Sequence, residues 1–456
     1  MKVKPSNTGL AALAIAALLP TVLHSAPIPK RAGKPNIVFI LADDLGLDGF
    51  SCYNSDRFKG KTPNIDRLAK TGIRFTQCYS MPLCGPSRCL IMTGRYGFRT
   101  GGMTNQSAGQ PSFKNEPSIA QTLKQAGYAT GMAGKWRQMG DTPGDWGFNE
   151  WLTDPTAGGW YWKTSYTKNN QLVETMQEVY NPDVCLDFAL DFFKRHKDQP
   201  FYFYYPTHLI HGPIVRTPDS KSGTMDFYDD NVAYLDKQVG QLVAELDKLG
   251  LRENTLIVVA SDNGTARFGA DQSFIGGRKI NGQKGSMLEG GSRVPLIANW
   301  KGTMPKGKVL NDLVDFSDFY ATFAELADAK MPEGILFDSR SFTPQLRGKK
   351  GTPREWIFVQ LGEKWYVRDQ GFKLTQSGEL FDMDDAPFAE KALATDLMNQ
   401  VTTAAQKRLQ VVLDNLNPAI GVKVYAPEKS QYKKKKNKNN NVPNKKRLKQ
   451  RGTVSA

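Results

Sequence analysis

The chain has 456 residues, with 60 Lys and Arg against 45 Asp and Glu and a formal net charge of +15. At 40% hydrophobic and 11% aromatic residues it is long and apolar enough to bury a large core, which excludes a disordered chain. The charge is uneven: Lys433, Lys434, Lys435, Lys436, Lys438, Lys445, Lys446, Arg447, Lys449 and Arg451 carry ten positives with no acid among them, and without these and Lys2 and Lys4 the body is near +3.

The start, Met1-Lys2-Val3-Lys4, precedes an apolar run over 10–19 and a small-residue stretch at Ser25-Ala26. This is the pattern of a signal peptide over residues 1–26. The apolar run is too short to span a bilayer comfortably, and no second long one follows. The expectation is an exported chain, periplasmic or extracellular, with no integral membrane span.

Next comes NIVFILA at 36–42, a continuous apolar run rich in branched residues that reads as a strand buried on both faces. It ends in Asp43-Asp44. The segment 62–72 has Pro near its start and Gly at its end, the punctuation of a helix. A short strand at 129–133 leads into Gly134-Lys135-Trp136-Arg137. Another, FYFYY at 201–205, runs into a loop holding His208, His211 and Pro213. TLIVVA at 255–260 ends in Ser261-Asp262-Asn263-Gly264. Amphipathic helical patterns fill 118–127 and 229–250.

Strands alternating with helices argue for an α/β fold with a mostly parallel sheet covered on both faces. In such sheets ligands bind beyond the carboxyl ends of the strands, where each of these strands delivers polar groups. After about residue 340 the texture changes to short strand-like pieces at 356–359, 364–367, 372–375 and 379–382, then a helix expected over 389–416. This reads as a small antiparallel subdomain over 341–425, beside a catalytic domain over 35–340. The basic tail, 426–456, is read as a solvated end or a tether for polyanions. It has no aromatic residue after Tyr432 to stack bases, so no nucleic-acid partner is expected.

Two features carry chemistry. Asp43, Asp44, Asp262 and Asn263 offer only oxygen ligands, the preference of a hard divalent cation such as calcium or magnesium. Adjacent buried aspartates would repel without a counter-charge, which a metal supplies. The second feature is Cys84-Gly85-Pro86-Ser87-Arg88, followed after three residues by Met92-Thr93-Gly94-Arg95. Pro86 is placed to open a helix, Arg88 can turn back toward Cys84, and the first-turn N–H groups favour an anion. The five cysteines, Cys52, Cys78, Cys84, Cys89 and Cys185, contain no C-x-x-C pair and leave disulfide pairing open.

The Cys84 string resembles the signature of the type I sulfatases, C-x-P-S-R-x-x-x-[LM]-T-G-R, with every fixed position present. The resemblance extends over about residues 35–425. In the family's order stand Asp43-Asp44, the segment 62–75, Gly134-Lys135-Trp136, His211-x-Pro213, Ser261-Asp262-Asn263-Gly264, Lys284-Gly285, Glu289-Gly290-Gly291-Ser292-Arg293 and Glu379-Leu380-Phe381-Asp382. The resemblance implies an alkaline-phosphatase-like large mixed sheet and hydrolysis of a sulfate ester. It implies that Cys84 is oxidised by a formylglycine-generating maturation enzyme, and that the hydrated aldehyde attacks sulfur. Calcium would be held by Asp43, Asp44, Cys84, Asp262 and Asn263. Arg88 would hold the aldehyde hydrate, Lys135 and Lys284 would grip sulfate oxygens, and His211 would serve the departing alkoxide.

One position departs from the family. Where Gly-Lys-Trp usually continues with His, this chain has Arg137, which cannot act as a base. That leaves His208 or Asp262 to take over the proton, or Arg137 to redirect the pocket toward a substrate carboxylate, or a slow enzyme. Arg137 and His208 are therefore substrate-binding candidates. The substrate expected is a sulfated small molecule or glycan, with Trp146, Trp151, Trp160, Tyr161 and Trp162 read equally as sugar platforms or core packing. A phosphonate or phosphodiester hydrolase of the same superfamily, or a non-catalytic glycan binder, stays open on residues alone.

Overall fold

NIVFILA forms β1 (Asn36–Ala42), buried along its whole length. Its side chains alternate between two cores, with Ile37, Phe39 and Leu41 in one and Val38, Ile40 and Ala42 in the other. A computed structural model describes Met1 and residues 33–136, 139–154 and 161–425. Residues 2–26, read from the sequence as a signal peptide, Arg137, Trp160 and the basic tail lie outside the described residues.

Around β1 lie β2 (Ile73–Tyr79), β3 (Ala129–Ala133), β4 (Glu150–Thr153), β5 (Trp162–Lys168), β6 (Gln171–Tyr180), β7 (Phe201–Pro206) and β8 (Thr255–Ser261). A short ribbon, β9 (Phe274–Ile275) with β10 (Arg278–Lys279), stands apart from the sheet; β11 (Arg293–Asn299) and β12 (Lys308–Asp315) complete it. The ten-stranded order is β12-β2-β11-β8-β1-β7-β3-β4-β5-β6. The centre, β8-β1-β7-β3-β4, is parallel, whereas β11 is antiparallel to both its neighbours.

Helices cover both faces. Pro63–Thr71, Asn181–Arg195 and Tyr228–Lys248 lie on one side, their buried Leu68, Phe192 and Leu235 in the core that holds Val38. Cys84–Thr93, Ile119–Gln125 and Asp318–Leu326 lie on the other.

The second sheet is antiparallel, in the order β13 (Ile357–Leu361), β14 (Lys364–Arg368), β15 (Phe372–Thr375), β16 (Leu380–Asp382) and β17 (Lys391–Ala392). Its Ile357, Val359, Tyr366 and Leu374 share a continuous core with the large sheet. The last long helix starts later than expected, at Gln400 rather than near 389. Asn399 caps it by accepting from the Val401 and Thr402 N–H groups, while Thr402 returns a bond to the Asn399 N–H. Among the described residues no helix is long and apolar enough to cross a membrane.

Candidate active site

The carboxyl ends of β1 and β8 are stitched together by one backbone bond and one bond to a side chain. The Asp262 N–H donates to Ala42 O at 3.1 Å, and the Asp44 N–H donates to Asp262 Oδ1 at 3.1 Å. Asp44 has φ 65°, a left-handed conformation that Asp tolerates better than most residues. The turn brings Asn263 Nδ2 within 2.9 Å of Asp44 Oδ1. All four residues of the two pairs are buried.

The cysteine motif forms the helix Cys84–Thr93, every residue of which is buried. The helix opens at Cys84 itself, so Pro86 sits within the first turn rather than at its start. Ser87 Oγ fixes the approach by accepting from the Met81 N–H at 3.0 Å. Asn105 Oδ1 accepts the Gly85 N–H at 2.9 Å and lies 3.7 Å from Cys84 Sγ. Burial pushes the Cys84 thiol up, so the unmodified side chain is a thiol rather than a nucleophilic thiolate.

Arg88 joins the motif to the sheet. Its Nε and Nη2 donate to Asp262 Oδ2 at 3.1 and 2.7 Å, its Nη1 to Lys135 O at 3.2 Å, and Nη2 lies 3.7 Å from Asp43 Oδ2. Lys135, emerging after β3, donates to Asp43 Oδ2 at 2.5 Å. Lys284 reaches Asp44 Oδ1 at 2.5 Å. His211 Nε2 lies 3.8 Å from Asp44 Oδ2, and its Nδ1 is 2.6 Å from Gly212 O. As that carbonyl can only accept, Nδ1 carries a proton, and Nε2 is the ring nitrogen that faces the carboxylates.

These charges set one another. Burial pushes the Asp43 carboxyl up, but Lys135, His211, Arg88 and Lys284 together hold it far below the usual range. Asp262 is pushed up to about 7 by burial and by Asp43, against Arg88 and Lys135. Burial pushes His211 down, with Asp43 pulling the other way.

The donor set fits a hard cation. Asp43 Oδ1 and Asn263 Oδ1 are buried with no hydrogen-bond partner, a costly state for an oxygen that a metal would relieve. Ligand atoms of Asp43, Cys84 and Asp262 all lie within 4.8 Å of one another, as do those of Asp43, Asp44 and His211.

Cys84, Arg88, Lys135, Lys284, His211 and the pairs Asp43-Asp44 and Asp262-Asn263 thus meet at the carboxyl ends of the central strands. His208 differs: its buried ring pairs with Asp154, which also takes Asn181 Nδ2 at 3.0 Å and lies 3.3 Å from Lys163 Nζ. Asn105 and Asp154 were not legible in the sequence, since neither stands in a motif. Of the aromatic cluster, Trp146, Trp151 and Tyr161 are buried. Tyr161 donates to His208 O and His211 O at 3.1 and 2.8 Å, so it braces that loop and is not open to a sugar. Trp162 is half-buried beneath the Arg216 guanidinium, 4.4 Å away.

Residues 35–329 match the family described as Sulfatase. The chain belongs to the sulfatase family. It is a sulfuric ester hydrolase. This sulfatase is 32% identical to human (Homo sapiens) arylsulfatase A over 364 residues, 72% of this chain and 70% of that protein. It is 30% identical to the N-acetylgalactosamine-6-sulfatase of Canis lupus familiaris over 364 residues, 72% of this chain and 69% of that one. Among solved structures it is similar to Ps i-CgsB in complex with k-i-k-neocarrahexaose, with a TM-score of 0.72 and 28% identity over 87% of this sulfatase and 99% of that chain.

Proposed function

We propose that this sulfatase removes sulfate from a sulfated carbohydrate, using a formylglycine made from Cys84 and a bound calcium ion. The reading rests chiefly on one observation: Cys84, three carboxylates, Arg88 and Lys135 converge, buried, at the carboxyl edge of the parallel strands. Relatives support the substrate class, since one is named for N-acetylgalactosamine-6-sulfate chemistry and another was solved with an oligosaccharide by its printed name. Export after loss of residues 1–26 accords with a polymeric substrate outside the cell.

Asp43, Asp44, Asp262, Asn263 and the modified residue 84 would hold the metal. Bound there, calcium supplies Lewis-acid polarisation of the sulfate, and the aldehyde hydrate supplies the nucleophilic oxygen. This chain's own residues do the rest. Arg88 fixes Asp262 through two donors to one oxygen, keeping the carboxylate aimed at residue 84. Lys135 and Lys284 present ammonium groups beside Asp43 and Asp44, where sulfate oxygens would be gripped. His211, with its Nδ1–H committed to Gly212 O, directs Nε2 inward, and in its doubly protonated form the ring would give the Nε2 proton to the departing alkoxide, leaving the neutral imidazole. Arg137 is proposed to contact substrate beyond the sulfate, whereas His208, buried and paired with Asp154, is proposed to brace the loop that carries His211 rather than to touch substrate.

The test is a time course of sulfate released from a panel of sulfated polysaccharides and oligosaccharides, with Cys84→Ala beside the matured protein. Continuous release by the matured protein alone is expected. Equal release by Cys84→Ala would overturn the assignment. A burst near one equivalent would place a defect at regeneration, where Arg137 replaces the usual His.

A further inference from the structure

Residues 281–288, which carry Lys284, contain neither helix nor strand. Gly282 and Gly285 within them have φ of 95° and 82°, so the backbone folds without regular support. At its tip the segment is tied to the site: the Lys284 N–H donates to Thr265 O at 3.0 Å and the Gly285 N–H to Pro82 O at 2.8 Å. Its base is closed by the Gly290 N–H donating to Asn281 O at 2.7 Å.

Tyr79 on β2 and Arg293 on β11 donate to Glu289 Oε2 at 2.9 and 3.2 Å, and a further set of contacts to this base comes from the second sheet and the loop between β16 and β17. The Asn281 N–H donates to Pro387 O at 2.9 Å, and the Glu289 N–H to Glu390 Oε1 at 2.9 Å. Lys373 Nζ, on β15, pairs with Glu390 and lies 3.4 Å from Met287 O. Both side chains of that pair are almost wholly buried, at 3% and 1% exposure. Arg368, on β14, donates to Glu289 Oε1 at 2.9 Å, and Tyr366 shares a hydrogen bond of 2.8 Å with Ser292 Oγ.

We infer that the buried Lys373–Glu390 pair is a positioning device for the reaction, through which the antiparallel sheet sets where Lys284 presents its ammonium group. A lysine at the end of a flexible stem is a weak clamp unless its backbone is fixed, and a displacement near 1 Å can cost about a hundredfold in rate. The pair acts at two points, the Met287 carbonyl within the segment and the Glu289 N–H just beyond it, three and five residues after Lys284. This rests on the reading of Lys284 as a sulfate-gripping residue.

A double-mutant cycle on the full-length, matured enzyme tests it, with para-nitrophenyl sulfate as the probe. Glu390→Gln is expected to lower kcat/KM about tenfold in the native background and less than about twofold in a Lys284→Ala background, because the residue being positioned is gone. Lys373→Arg, which keeps the ion pair, is expected to stay within about twofold of the native value. Equal losses in both backgrounds would reduce the pair to general stability and overturn the inference, as would an unchanged rate for Glu390→Gln. Should Glu390→Gln not fold, Lys373→Gln runs through the same cycle. Lys284→Ala read alone separates the two levels: if it leaves the rate intact, the sulfate-gripping role fails first and this one with it.

Discussion

Arg88 Nη2 sits 2.7 Å from Asp262 Oδ2, joining two residues 174 positions apart in the chain, both buried. The fifth position of the cysteine motif is thereby the counter-charge of the β8 carboxylate. Breaking one side of such a pair leaves an uncompensated charge in a dry site. Arg88→Met should lower unfolding free energy by about 3–5 kcal/mol, read by chemical denaturation, and abolish sulfate release. Adding Asp262→Asn should recover part of the stability and none of the activity. Full stability in Arg88→Met alone would show that the pair is not what holds these segments together.

Calcium should stabilise the fold, because the oxygens of Asp43 and Asn263 that lack hydrogen-bond partners would gain one. With free calcium at a hundredfold excess over its Kd, the gain is about 2.7 kcal/mol, visible as a higher Tm than in chelator. Asp43→Asn should erase most of that difference. A Tm indifferent to calcium and chelator would argue against a metal among these side chains.

The site was more legible in the sequence than the sheet around it. Asn36–Ala42 could be bounded from sequence because a strand buried on both faces reads as a near-continuous apolar run, here from Ile37 to Ala42. The Cys84 string and the pairs Asp43-Asp44 and Asp262-Asn263 stood out by residue type and placement, whereas Lys135, Lys284 and His211 stood out only through the resemblance to the sulfatases. β5 and β6 escaped notice: they are largely exposed, and their polar sequence has no buried face to impose a period. Their turn is made by Asn169 and Asn170, at φ 48° and 67°, a hairpin signal without glycine. Asn105 and Asp154 are single polar residues whose roles exist only once distant strands meet. The late start at Gln400 turned on one cap, Asn399, set in a run that otherwise reads as helical.

Asp315 gives a pH dependence to stability that is independent of the metal site. At the end of β12 it accepts from the Ser317 N–H at 2.9 Å and from the Tyr96 hydroxyl at 3.1 Å. Burial pushes its carboxyl up to about 6, with Arg354 pulling it back. A folded pKa above the unfolded value of about 3.9 means that the folded state holds the proton more tightly. Its stabilising contribution is therefore complete below about pH 4 and lost as pH rises through about 6. Asp315→Asn, which keeps an acceptor for Ser317, should flatten that fall in denaturation curves between these pH values. A slope unchanged by the substitution would assign it to other groups.

His211 makes a prediction that separates leaving-group protonation from binding. Its Nε2 faces the carboxylates while Nδ1 is engaged by Gly212 O, so the ring is held in one orientation. A sugar alkoxide is a poor leaving group and needs a proton as the bond to sulfur breaks, whereas a nitrophenolate does not. His211→Gln should therefore lower kcat on a sulfated oligosaccharide by about a hundredfold or more, and on para-nitrophenyl sulfate by less than about tenfold. Equal losses on both substrates would make His211 a binding or positioning group. A loss confined to KM would place its contact in the ground state, with the proton coming from elsewhere.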